Sequence, residues 1–429
     1  MDNAATLRLR MDATGASPLF YKVFVLVAAG MILDAADVYL ASAVNTTIIQ
    51  TKFATLGQGS IFLSSGFLGL FFGSLLAGFI GDRFGRRQAY QINLLIFGGF
   101  TLLAAFSGNV WWLIAFRFIA AIGLGAEIVT GFSFINEFAP VKTRGRWSAS
   151  VSMIANCAAP LTLLLASFII PNYSWRTLMA MVGVAALILW VMRHNFPESP
   201  RWLISQGRYD EAEAIIEQME VARQQKLEDA KEDLAIAQKV SPGRALAVAI
   251  VAVSAINLIQ YTFTSWMPTL LVRQGIQVVH SLSFSAVMLA GAPIGALTGA
   301  ILVDHLGRKK VIVSAFIAAA ILGMIYAYQR EVTPILIVGF ILVTVIYILM
   351  ASIVSVYMPE LFRTDFRFRG TGIANAVAKI LTVFTPYMAA WALARFNANL
   401  IFIVIAGIAL IAAVTVAFMG PETKQGRID

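Results

Sequence analysis

Gly81-Asp82-Arg83-Phe84-Gly85-Arg86-Arg87-Gln88 lies between two apolar runs, 59–80 and 89–107. The eight residues hold three arginines and an aspartate, whereas the flanking runs hold no charge. The pattern predicts a tight charged loop joining two membrane-spanning helices, with Gly81 and Gly85 allowing a sharp turn beside a helix end. Arginine is retained on the cytoplasmic side, so the loop also predicts orientation. The same pattern returns as Val303-Asp304-His305-Leu306-Gly307-Arg308-Lys309-Lys310, again between apolar runs and 222 residues on. That echo identifies a duplicated membrane protein.

Composition agrees. The 429 residues are 59% hydrophobic and 13% charged, against about 25% charged in soluble domains. The net charge of +9 sits in short loops between apolar runs, so it reads as membrane orientation and not as nucleic-acid binding. Cys157 is the only cysteine, and the three histidines are scattered. Neither a disulfide framework nor a metal site is expected. No Gly-Lys pair offers a phosphate-binding loop, which argues against ATP drive. No nucleophile–base pair recommends an enzyme. The first apolar run is too long, and with two aspartates too charged, for a signal peptide, so it is read as a retained span.

A span needs about 20 apolar residues. Twelve are expected: 20–45, 59–80, 89–107, 111–135, 148–170, 175–194, 244–271, 282–303, 311–329, 333–358, 370–394 and 397–418. With both termini cytoplasmic, the inner segments hold 25 Lys and Arg and the outer loops five, which fixes the expected topology. Residues 195–243 separate two halves, 1–194 and 244–429. Their Glu-, Lys-, Ala- and Gln-rich part, Arg208–Lys239, predicts amphipathic helices on the membrane face. The duplication has a second anchor. Glu137, before Arg144-Gly145-Arg146, and Glu360, before Arg369-Gly370, lie 223 residues apart. Two six-helix halves in one orientation predict a central site reached alternately from either side. Glycine stripes at Gly66, Gly69, Gly73 and at Gly291, Gly295, Gly299 predict close helix approach.

These features resemble the major facilitator superfamily along nearly the whole chain. Gly81–Arg87 is similar to its signature loop, and 303–310 to the second copy. Pro197-Glu198-Ser199-Pro200-Arg201-Trp202-Leu203 resembles the sugar-porter signature after span six, and Pro421-Glu422-Thr423 that group's closing motif. Asp34-Ala35-Ala36-Asp37 resembles the paired aspartates of the aromatic acid:proton symporters. Ser265–Leu271 is similar to their span seven, and Lys379 stands where they carry arginine. The resemblance implies an all-α membrane protein of 12 transmembrane helices in two pseudo-symmetric six-helix bundles. It implies a secondary active transporter in a bacterial inner membrane, with protons as the coupling ion, no cofactor, and a small molecule, protons and the bilayer as partners. It also implies a single-chain carrier.

Ionisable groups inside spans carry the expected chemistry, because a charge at bilayer depth costs at least about 2.5–3.5 kcal/mol. Asp34, Asp37, Arg117 and Glu127 form the proton-coupling candidates. Counting 1.5 Å of rise per residue puts Asp37 and Arg117 at about the same depth, so they can pair if spans one and four are neighbours. Asp34 shares a helix face with Asp37, and two such carboxylates resist joint ionisation. Glu127 is read either as a second proton site or as a substrate contact. Lys379 would meet a substrate carboxylate or serve as counter-ion to Glu127 or Asp34. Asn156, Asn257, Gln260, Tyr261 and Asn375 would complete a small polar pocket. Gly81, Asp82, Arg83, Gly85 and Arg86 with Glu137, Arg144, Arg146, Glu198 and Arg201, and Asp304, Arg308, Glu360 and Arg369, would form a cytoplasmic gate. Symport of a small organic anion is the first expectation. A neutral sugar or polyol carrier and a proton-driven exporter are the alternatives.

Overall fold

The computed structural model describes residues 3–140, 143–220, 241–273, 275–362, 364–396 and 399–423. All regular structure among them is helical. Twelve helices are long and apolar enough to cross a membrane, from Pro18–Gln50 to Asn399–Met419. Span one is longer than its apolar run predicts, because Thr46 and Thr47 continue the helix, which runs to Gln50. Thr46 and Thr47 return their hydroxyls to the carbonyls of Ser42 and Ala43, at 3.0 and 2.8 Å. Span four, Val110–Phe138, starts at Asn109, whose side chain accepts the backbone N–H groups of Trp111 and Trp112, each at 3.0 Å. That carboxamide takes up donors a helix start leaves unpaired.

The charged loop is much shorter than expected. Span two continues as helix to Phe84, and span three begins at Arg86. Gly85 alone makes the break, at φ 95° and ψ 153°, while Gly81 is helical. The second copy is alike: helix runs to Leu306, Gly307 turns at φ 95° and ψ 150°, and helix resumes at Arg308. Only glycine adopts that backbone region without strain, so one residue suffices where eight were expected.

Small residues bring helices into backbone contact. A Cβ on Gly69 would stand 2.5 Å from the Phe118 carbonyl, and one on Gly73 would strike that of Ile122, so span two lies directly on span four. Gly291, Gly295 and Gly299 do the same for span eight against Phe340, Thr344 and Ile348 of span ten. Lipid gives apolar side chains no reason to leave it, so dispersion at such close approaches holds the helices together. Span ten closes with a π-helical stretch, Ala351–Tyr357.

The residues group into two compact units. One comprises Met1–Asp37, Gly69–Ala155 and Met179–Asp233; the other comprises Val38–Leu68, Asn156–Leu178 and Leu234–Asp429. Within the first, Asn3–Ala13 is a helix, although residues 1–18 lack an apolar run. Its buried Leu7 and Met11 face inward. Arg10 donates to Glu220 at 2.9 and 3.0 Å and pairs with Glu213, and Arg201 donates to Asp12 at 2.6 Å. The Arg10 hydrogen bonds hold the Glu220 carboxyl below its ordinary value. The segment after span six supplies the helices Pro200–Ser205 and Tyr209–Glu220. The rest of the expected amphipathic stretch, 221–240, lies outside the described residues.

Candidate functional site

Span one carries the core of the site. Asp37 is fully buried, and the Arg117 guanidinium of span four donates to its carboxylate. The shared depth read from the sequence thus corresponds to a direct ion pair. One turn along, Asp34 is 3% exposed, and neither carboxylate oxygen has a hydrogen-bond partner among the described residues. A further turn along stands Gly30. A Cβ there would collide with the Arg193 guanidinium and lie 2.8 Å from Glu127 Oε1. Glu127 and Arg193 are both fully buried and paired with each other.

Arg193, at the end of span six, is the functional candidate that the sequence reading missed. Its guanidinium also donates to the Leu26 carbonyl at 2.7 Å and lies 4.0 Å from the centre of the Tyr90 ring. Its own carbonyl accepts from the Gln91 side chain. A charge this deep persists only when paired and hydrogen-bonded. Here the pairing is supplied by spans one, three and four together. Depth could have found it. Glu127 lies ten residues inward of Arg117 along a single helix, about 15 Å, which brings it level with the inner end of span six. Glu127, expected as a second proton site or a substrate contact, is one half of a buried pair.

In the second unit, Gln260 donates to the Tyr347 hydroxyl at 3.3 Å, and that hydroxyl is hydrogen-bonded to Tyr39. Gln260 Oε1 is buried without a hydrogen-bond partner among the described residues. Tyr261 packs edge-on against Phe67, with ring centres 4.9 Å apart. The structure therefore joins Gln260 and Tyr261 to an aromatic cluster whose Tyr39 and Tyr347 the sequence reading passed over. Single tyrosines in apolar helices carry no spacing signal. Asn257 is buried. Asn375 donates to the Thr371 carbonyl at 3.0 Å, and Lys379 follows one turn later on the same span, half-buried. Lys379 makes no ion pair or hydrogen bond among the described residues. Asn156 is half-buried at the break between the two helical pieces of span five. An apolar cavity of about 160 Å³ between spans seven, eleven and twelve is lined by Leu258, Met388, Trp391 and Ile405 and contains none of these polar residues.

The charged-loop ends are built twice on one plan. Glu198 accepts the backbone N–H groups of Arg86 at 3.0 Å and Arg87 at 3.1 Å, just past Gly85. Glu422 accepts those of Arg308 at 2.9 Å and Lys309 at 3.1 Å, just past Gly307. A carboxylate there meets unpaired donors and the positive end of the helix dipole. Burial pushes the Glu198 carboxyl upward, against the opposing pull of those N–H groups. Around these caps, Arg86 stands 3.8 Å from Glu137, and Arg308 forks onto both oxygens of Glu360 at 3.1 Å. Arg83 and Arg146 are exposed. The side chains of Asp82, Arg144, Asp304 and Arg369 lie outside the described residues.

A buried set of paired and unpaired acids and guanidiniums lies inside a protein with twelve membrane-length helices, and the comparisons give its family. The sugar (and other) transporter model matches residues 21–428. The chain is 33% identical to the inner membrane metabolite transport protein YdjE of Escherichia coli, over 100% of this chain and 99% of the relative. It is 27% identical to the niacin transporter NiaP of Acinetobacter baylyi, over 95% of each. Its fold matches the xylose transporter XylE of E. coli in a partially occluded inward-open conformation, with a TM-score of 0.78 at 18% identity, covering 96% and 100% of the two chains. The chain belongs to the sugar (and other) transporter family of the major facilitator superfamily, and it is an integral membrane transporter of small molecules.

Proposed function

We propose that the protein is a proton-coupled symporter of a small organic anion, working by alternating access between its two six-helix halves, 1–194 and 244–429. The observation that carries this reading is the buried row of Asp34, Asp37 and Glu127 against two guanidiniums among the described residues. An uncompensated carboxylate at this depth is too costly to leave charged, so a proton is its natural partner. One proton on the acidic row balances its three carboxylates against the two guanidiniums. Loss of the proton on the inner side restores the charge of the row and makes the cycle directional. Lys379 supports an anion over a neutral solute, because a half-buried cation without a counter-ion among the described residues suits a substrate carboxylate. Asn156, Asn257, Gln260, Tyr261 and Asn375 would supply the remaining polar contacts. That NiaP carries niacin, a pyridine carboxylic acid, points the same way. The Arg86–Glu137 and Arg308–Glu360 groups would serve the inner gate, with both termini on that side.

The test is flux in proteoliposomes. Nicotinate and benzoate should accumulate under an inside-alkaline gradient and not without it. Accumulation of xylose but of neither carboxylate would instead favour the neutral-solute alternative. Carboxylate expulsion driven by the opposite gradient would favour an exporter.

A further inference from the structure

We propose that Arg193 is a positioning residue for proton coupling: by forming a closed pair with Glu127 it leaves Asp34 as the carboxylate of the buried row that holds the exchangeable proton. This rests on the proton-coupled reading above.

The argument is one of geometry and charge. Gly30, Asp34 and Asp37 succeed one another along one face of span one. At the Gly30 level, the missing side chain leaves the space that the Arg193 guanidinium and Glu127 Oε1 occupy. At the Asp37 level, Arg117 is the partner. Asp34 lies between the two pairs, with both oxygens buried and unpartnered. The charges acting on it are those of Glu127, Arg193 and Asp37, and Tyr90 faces the same pair from span three.

Three carboxylates against two guanidiniums make the set neutral with one proton bound. Each guanidinium is fixed to one acid, which leaves the third acid, Asp34, for the proton. Arg193 touches neither proton nor substrate in this scheme. It cancels Glu127, so that a single proton neutralises the row. Remove Arg193, and the row has three acids to one guanidinium and takes up a second proton. Remove both members of the pair, and the one-proton count returns.

Two readouts test this in the full-length protein. The first is the pH profile of carboxylate exchange in proteoliposomes. Asp34→Asn should flatten it and abolish accumulation under a pH gradient. Arg193→Gln should move its midpoint alkaline by about one pH unit or more. Adding Glu127→Gln to Arg193→Gln should bring the midpoint back near the parent value, as should Arg193→Lys, which keeps the charge. A purely structural Arg193 would give the double variant no such recovery. The second readout is the infrared carbonyl band of a protonated carboxylic acid in purified protein, which needs no flux. It should be present in the parent and absent from Asp34→Asn. A parent pH profile or a surviving band in Asp34→Asn overturns the assignment, as does an unmoved midpoint in folded Arg193→Gln. If the parent ignores the pH gradient while the band still disappears in Asp34→Asn, the symport reading fails and the placement of the proton stands.

Discussion

Replacing Gly85 with alanine tests the geometry of the single-residue break. The backbone there, at φ 95° and ψ 153°, is close to a region reserved for glycine, and a side chain costs about 1–3 kcal/mol in strain. The new Cβ would also stand 2.5 Å from Glu198 Oε2 and 3.2 Å from the Trp202 ring. Glu198 must withdraw, which weakens charge-assisted bonds to two backbone donors, at a cost of about 1.5–3 kcal/mol. Gly85→Ala should therefore destabilise by about 2.5–6 kcal/mol, and Glu198→Ala by about 1.5–3 kcal/mol. The two should be strongly non-additive, because alanine at 85 removes a contact that Glu198→Ala has already removed. In the Glu198→Ala background, the cost of Gly85→Ala should fall to the strain alone, about 1–3 kcal/mol. SDS titration in mixed micelles, read by tryptophan fluorescence, measures all four corners of the cycle. Additive losses would refute the clash. A loss at Gly85→Ala no larger than for an exposed helix site would refute the strain as well.

Other outcomes follow from the site. Asp37→Asn should lose accumulation driven by a pH gradient while still exchanging substrate between equal pools; accumulation like the parent's would remove Asp37 from the coupling set. Lys379→Gln should weaken carboxylate binding by about 10-fold or more, the worth of a charged hydrogen bond, in a tryptophan-quenching titration, and leave the pH sensitivity of residual flux in place. For orientation, a cysteine at Gln58 should label from outside sealed cells and one at Gln206 should not. For the Arg10–Glu220 clamp, the folded carboxyl lies below its unfolded value. Its stabilisation is therefore full above the unfolded value of about 4.3 and lost only as pH falls through the lower folded one. A cysteine at Met11 should stay protected between pH 5 and 8 from a dithiodipyridine, which still reacts with thiols in acid, and become accessible to it only in stronger acid.

The twelve spans were legible because length and hydropathy suffice for a helix that must satisfy its backbone inside lipid. Asp37 and Arg117 were legible because helical rise converts residue number into depth. The same arithmetic would have joined Glu127 to Arg193, but a cation at a span's end looks like an orientation signal until Gly30 is known to leave room for it. The turn length was overestimated for a related reason. Charged residues look like loop, yet Asp82, Arg83 and Phe84 extend the helix, and only the glycine reverses the chain. Tyr39 and Tyr347 were missed because a hydroxyl pair between distant spans leaves no periodic trace. Of the gate residues, Glu198 stood out as part of a motif, but its role as a helix cap depends on backbone donors that the sequence does not display.

Both hairpin glycines borrow their carboxylate from chain that emerges just past a sixth span: Glu198 for the first copy, Glu422 for the second. Each repeat therefore carries its own clasp on its own tail. This bears on dividing the polypeptide for complementation. Fragments cut anywhere between 221 and 240 each keep a hairpin and the residue that fastens it. A cut between spans six and Glu198 would hand the first repeat's fastener to the wrong piece, and a fusion joined tightly after Thr423 would pull on the second.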